Sequence, residues 1–161
     1  MTPTSTARLL LSVAVILTAC SGDGSSADEA ANAGTSADGL SAVELEQGIG
    51  PIRDLQLGAI DDALVAQGET LFVTKCSACH KLDERYVAPP LGDVLERRRP
   101  EFVMNMMLNA NQMVQEHPTV RELLAEYYTP MPVQITEEDQ ARAILEYLRA
   151  APAAPTSGEG S

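Results

Sequence analysis

The chain has no tryptophan, and aromatic residues make up only 4% of it. Its core must therefore rest on Leu, Ile, Val, Met and Ala, without the large ring area that Phe or Trp would bury. Basic residues are also scarce: 11 Lys+Arg stand against 23 Asp+Glu, a formal net charge of −12. That balance makes nucleic acid a poor partner, because phosphate binding needs a clustered basic surface. Three cysteines are too few for a closed disulfide framework. No apolar run reaches the roughly 18 residues of a membrane-spanning helix. With 161 residues the chain can form one domain and is short for two. These absences leave a small acidic protein in which the three cysteines carry the most information.

The first cysteine closes a leader. Residues 1–19 read as an export signal, with Arg8 as a basic n-region and LLLSVAVIL, from Leu9 to Leu17, as an apolar h-region too short to cross a bilayer. The adjoining Leu17-Thr18-Ala19-Cys20 resembles the bacterial lipobox, in which the leader is cut before the Cys and its thiol is acylated. That resemblance implies a lipidated Cys20, held stably by two or three acyl chains where one would not suffice. The alternative is an ordinary secretory signal that ends near a Cys. Residues 21–39 contain no branched aliphatic and no aromatic side chain, so they cannot bury enough area to offset their ordering entropy. As a flexible chain they would reach about 25 Å. The expected organisation is a signal peptide over 1–19, a lipidated Cys and disordered linker over 20–50, a folded domain over 51–150, and a loose Pro/Ala/Gly/Ser-rich tail over 151–161.

Within the folded part, helical spacing dominates. Asp61 or Asp62 can cap a first helix whose inner face carries Leu64, Gly68, Leu71 and Phe72. Pro100 suits a first helical position, followed by Phe102, Val103, Met106 and Met107. Another helix opens at Pro118, with Val120, Leu123, Leu124 and Tyr127 on one stripe. Thr136-Glu137-Glu138-Asp139 resembles a capping box for a last helix lined by Ala141, Ile144, Leu145 and Leu148. No stretch alternates with period 2, so the fold class expected is all-α.

Residues 76–80 read Cys76-Ser77-Ala78-Cys79-His80, a C-x-x-C-H haem-attachment motif. Two thiols three residues apart on one turn face the same way, so each can add to a vinyl group of one haem. His80 then follows as the proximal iron ligand. Two rival chemistries use similar residues. A thioredoxin-like pair wants its CxxC after a strand in a βαβ unit, which this chain lacks. A structural zinc site needs four ligands; besides Cys20 the candidates are Cys76, Cys79, His80 and His117, two of them adjacent.

From these residues the chain resembles the class I c-type cytochromes over roughly 60–150. Gly68 and Phe72 ahead of CSACH are similar to that family's first helix, and Ile144 and Tyr147 to its partner across the helix crossing. Ala88-Pro89-Pro90-Leu91 resembles the family's Gly-Pro-x-Leu stretch, which implies the Pro89 carbonyl as acceptor for the proximal His80. Thr129-Pro130-Met131-Pro132 stands where the family places its axial Met. The resemblance implies a cytochrome c-like helical domain around one covalent haem c, with Cys76 and Cys79 as thioethers, His80 and Met131 on the iron, and one-electron transfer as the activity.

Two prolines stiffen the segment around Met131 and would present its thioether at a fixed place. The competitors for the sixth position are Met104, Met106, Met107 and Met113, which suit core filling on a helix, and His117, for which capping or exposure before Pro118 is the plainer reading. An open site is the remaining alternative. His/Met ligation leaves iron no vacancy and favours a carrier; a displaceable ligand would instead suit a haem sensor or a peroxidase-like enzyme. The expected setting is a membrane-tethered monomer outside the cytoplasm, exchanging electrons with redox partner proteins of a respiratory chain. The stretch PEFVMNMMLNANQMVQEHP is also similar to small lipoprotein cytochromes that accompany nitrous oxide reductase, which implies a reductase as one partner. A subunit fixed in a larger complex is a further possibility. Arg97-Arg98-Arg99, the one basic cluster, reads as a solvated helix end or a docking patch.

Overall fold

The structure, a computed structural model, describes residues 39–151. Among these it contains seven helices and no β-strand: α1 (Ala42–Gln47), α2 (Asp62–Lys75), α3 (Val94–Arg97), α4 (Pro100–Leu108), α5 (Ala110–Glu116), α6 (Pro118–Tyr127) and α7 (Glu138–Ala150). Their starts follow local chemistry. The Asp61 carboxylate caps α2 by accepting from Ala63 N at 2.9 Å and Leu64 N at 3.2 Å. Pro100 and Pro118 open α4 and α6 at positions where the missing N–H is no loss. The opening of α7 differs from expectation. Glu137 occupies its N-cap without a side-chain cap bond, because the Thr136 hydroxyl donates to the Glu137 carboxylate at 3.2 Å instead of capping a backbone amide.

α2 and α7 cross at Gly68. A Cβ there would overlap the Ala143 carbonyl and lie 2.9 Å from Tyr147 Cβ, so only Gly permits the approach. Phe72, one turn on, meets Tyr147 with ring centroids 5.3 Å apart. Around this crossing lies the first core, with Phe72, Val94, Met104, Met107, Ile144, Leu145 and Leu148. Each such side chain, removed from water, contributes about 1.5–3 kcal/mol. Met104 and Met113 are wholly buried and Met107 nearly so, so three of the four competing methionines are core residues.

A second core holds Leu40, Ile49, Phe102, Met113 and Val120, and it corrects the expected linker boundary at 50. Residues from Leu40 onward are folded: Leu40, Ile49 and Ile52 are buried. Ser41 and Glu44 form a capping box that starts α1. The segment then lies as a strap over α4. Asn105, fully buried, donates from Nδ2 to Gln47 O and to Ile52 O, both at 2.8 Å, and accepts from Ile52 N at 2.9 Å. Asn109 Nδ2 adds a bond to Ile49 O at 3.0 Å. His117 is likewise corrected: it is buried, not exposed, edge-on to Phe102 at 5.1 Å and bonded through Nε2 to Leu45 O at 3.2 Å. It therefore belongs to the second core.

Candidate haem site

α2 ends at the motif. Cys76 N and Ser77 N both bond to Phe72 O at 2.9 Å, and the chain then tightens so that Cys79 N reaches Cys76 O at 3.0 Å and His80 N reaches it at 2.9 Å. This turn brings Cys76 and Cys79 onto one short loop as free, half-buried thiols. Burial pushes the Cys76 thiol up to about 11, against the pull of Lys75. A thiol raised in this way is the reverse of the lowered-pKa thiolate that a disulfide oxidoreductase needs.

The His80 ring is held from the other side. Its Nδ1 donates to the Pro89 carbonyl at 2.9 Å, the contact that the Ala88-Pro89-Pro90-Leu91 match implies. With the proton on Nδ1, Nε2 keeps its lone pair for a metal. Burial lowers the His80 pKa, partly offset by the Pro89 bond, and so favours the neutral form that ligates. The loop carrying Pro89 is fastened to the same turn: Ala88 N bonds to Cys79 O at 3.0 Å, Leu91 N to Lys81 O at 2.9 Å and Gly92 N to Leu82 O at 2.8 Å.

Met131 is half-buried and packs on the same core that Cys76 borders. Its segment lies outside any helix, and Lys75, the residue before Cys76, donates from Nζ to Gln134 O at 3.4 Å. Cys76 and Met131 thus pack on one core, Cys79 and His80 follow Cys76 on the same turn, Pro89 is bonded to His80, and His117 lies in another core. Cys20 lies outside the described residues. Arg97 is engaged with Asp93 at 2.6 Å and Pro90 O at 2.8 Å, Arg98 lies over Phe102, and Arg99 pairs with Glu46, so each arginine of the basic cluster has a partner.

Two free thiols on one turn, a neutral imidazole with Nε2 available, and a thioether on the same core suit one covalently held haem. No group of three or more His, Cys, Asp or Glu among the described residues could hold a bare metal ion, so the donor set does not suit a structural zinc site. Fold and site together define a c-type cytochrome.

The comparisons agree. The family model for cytochrome c matches residues 65–152, and the chain belongs to the cytochrome c family. Among solved structures, cytochrome c from Rhodothermus marinus is 53% identical with a TM-score of 0.63, covering 66% of this chain and 92% of that one. An engineered cytochrome c from the same organism, Rma TDE, is 52% identical with a TM-score of 0.62, over 66% of this chain and 93% of that one. The same engineered protein bound to a carbene intermediate, 1-ethoxy-1-oxopropan-2-ylidene, gives 52% identity, 66% and 93% coverage, and a TM-score of 0.60. No curated protein matches the chain. The protein is therefore a haem electron carrier whose cofactor is covalently bound haem c. Members of this family are typically extracytoplasmic.

Proposed function

We propose that the protein is a mono-haem carrier tethered to a membrane through a lipid on Cys20, passing single electrons between partners of a respiratory chain outside the cytoplasm. Cys76 and Cys79 would hold the haem by thioethers, with His80 and Met131 as the two protein ligands. The haem, when bound, supplies the one-electron couple. The surrounding residues supply position and dryness. Pro89 fixes the ring plane and tautomer of His80; Phe72, Leu145 and Leu91 belong to the apolar core on which Cys76 and Met131 pack and would keep water from it; Met131 would offer a soft ligand that favours the ferrous state and raises the potential. The observation that carries the reading is the His80–Pro89 bond beside two free thiols, with Met131 on the same core.

Met131→Ala is the test. It should lower the reduction potential and open the iron to external ligands, with the haem still attached. An unchanged spectrum and potential would remove Met131 from the iron. A second reading, a sixth ligand that leaves to admit a substrate, draws support from the engineered Rhodothermus marinus cytochrome c bound to a carbene intermediate. Rapid carbon monoxide binding to the wild-type ferrous protein would favour it.

A further inference from the structure

We propose that Arg85 is a positioning residue for the sixth ligand, a clamp that ties the loop after His80 to the helix end from which the Met131 segment departs. The proposal rests on the reading of Met131 as that ligand. Three contacts converge on Arg85. Its Nη1 donates to Glu126 Oε1 at 2.5 Å, its Nη2 donates to Glu126 O at 3.2 Å, and its guanidinium stacks 4.0 Å from the centre of the Tyr127 ring. Glu126 O is one of the last carbonyls of α6 and has no partner further along the helix, so Arg85 acts as a C-terminal cap supplied from a distant loop.

The position of that cap matters because little slack follows it. Tyr128, directly after α6, turns the chain in the left-handed region at φ 56°. Thr129 and Pro130 then lead to Met131, and Pro130 and Pro132 hold φ on both sides of it. At its far end the segment is tied by Lys75 to Gln134 O. On the proximal side, the loop bearing Arg85 is itself fastened to the motif by Ala88 N to Cys79 O. Arg85 and Lys75 flank Cys76–His80 in sequence, and each grips one end of the Met131 segment. Arg85 therefore couples the proximal and distal sides of the site. Its fork and its planar face are both used, so Lys cannot replace it fully.

The test compares carbon monoxide binding to the ferrous, haem-loaded protein in wild type, Arg85→Lys, Arg85→Ala and Arg99→Ala. Association should be about five- to tenfold faster in Arg85→Ala, the factor expected from losing an exposed stack and an ion pair together, and intermediate in Arg85→Lys. Arg99→Ala removes an exposed pair with Glu46 and a second with the nearly buried Glu101, neither of them on the Met131 segment, and should bind at the wild-type rate. Hydrogen exchange over residues 128–134 should rise in Arg85→Ala and not in Arg99→Ala. Equal rates in wild type and both Arg85 variants, with the far-red thioether-to-iron band present in all, would overturn the role of Arg85 alone. Equal acceleration in Arg99→Ala would reduce it to general stability. Absence of that band from the wild type would instead overturn the Met131 reading and the clamp with it.

Discussion

Tyr128 shows how one residue can carry strain for the benefit of its neighbours. It is the only non-glycine residue with positive φ among the described residues, and it is 86% exposed, so no packing of its own side chain explains the conformation. A left-handed residue other than Gly costs about 1 kcal/mol. Here the turn ends α6 and sends the chain toward Met131. Tyr128→Gly should therefore raise stability by about 0.5–1 kcal/mol, less than the full relief because the unfolded chain gains freedom. Thermal melts of the haem-loaded variant check this, and a lower melting temperature would contradict it. At this scale the motif was legible in sequence because its chemistry is local: Cys76 to His80 span a single turn. Arg85 was not, since its partner Glu126 lies 41 positions away. The burial of His117 is hidden from the sequence for the same reason. Nothing beside it in sequence tells of the carbonyl of Leu45, 72 positions earlier, or of Phe102 lying across its ring.

At the scale of elements, α2, α4, α6 and α7 could be read from capping residues, prolines and apolar spacing, because each of those signals acts within a few residues. α3 and α5 are too short for a periodic stripe. α1 carries the Ser41–Glu44 capping box, a local signal that follows directly on a low-complexity stretch. The rest of the strap is specified by tertiary bonds. Asn105→Ala would leave the amide of Ile52 and the carbonyls of Gln47 and Ile52 without their side-chain partner. A loss of about 2–4 kcal/mol in urea unfolding is expected, with faster hydrogen exchange over 47–52 than over α2. Uniform exchange would show that the strap is not held there.

The buried Glu146 of α7 makes a second such tie. It accepts from Arg142 Nη2 at 2.6 Å and Arg149 Nη1 at 2.7 Å, while those arginines donate onward to Gln56 O and Gly58 O. Burial alone would raise its pKa, but the hydrogen bonds and charges of Arg149 and Arg142 outweigh it and hold the carboxyl below its ordinary value. A carboxylate depressed on folding contributes stability that is complete above its unfolded pKa, about 4.3, and is lost as pH falls through the lower folded value. Melting temperature should therefore decline below about pH 4.3 in the wild type. Glu146→Gln should begin lower, by about 2–4 kcal/mol at neutral pH, and show a flatter acid decline. An equally steep decline in that variant would assign the acid sensitivity elsewhere.

At the scale of the whole molecule the chain carries a formal net charge of −12, which under the proposed function would favour encounter with basic surfaces in a salt-dependent manner. Among its described residues no helix is long and apolar enough to cross a membrane. The proposed attachment to a membrane rests on the lipid on Cys20. Cys20→Ser should move the expressed protein from the membrane fraction to the soluble one with its haem spectrum unchanged. Equal membrane association in that variant would end the tether. The ligands of the iron are read most directly from the visible spectrum of the haem-loaded protein, oxidised and reduced. Low-spin c-type bands are expected in both states and, in the ferric protein, the weak far-red band of a thioether on iron, absent from Met131→Ala. A haem-loaded wild type without that band would contradict Met131 ligation and make an open or exchangeable coordination site the basis of its function.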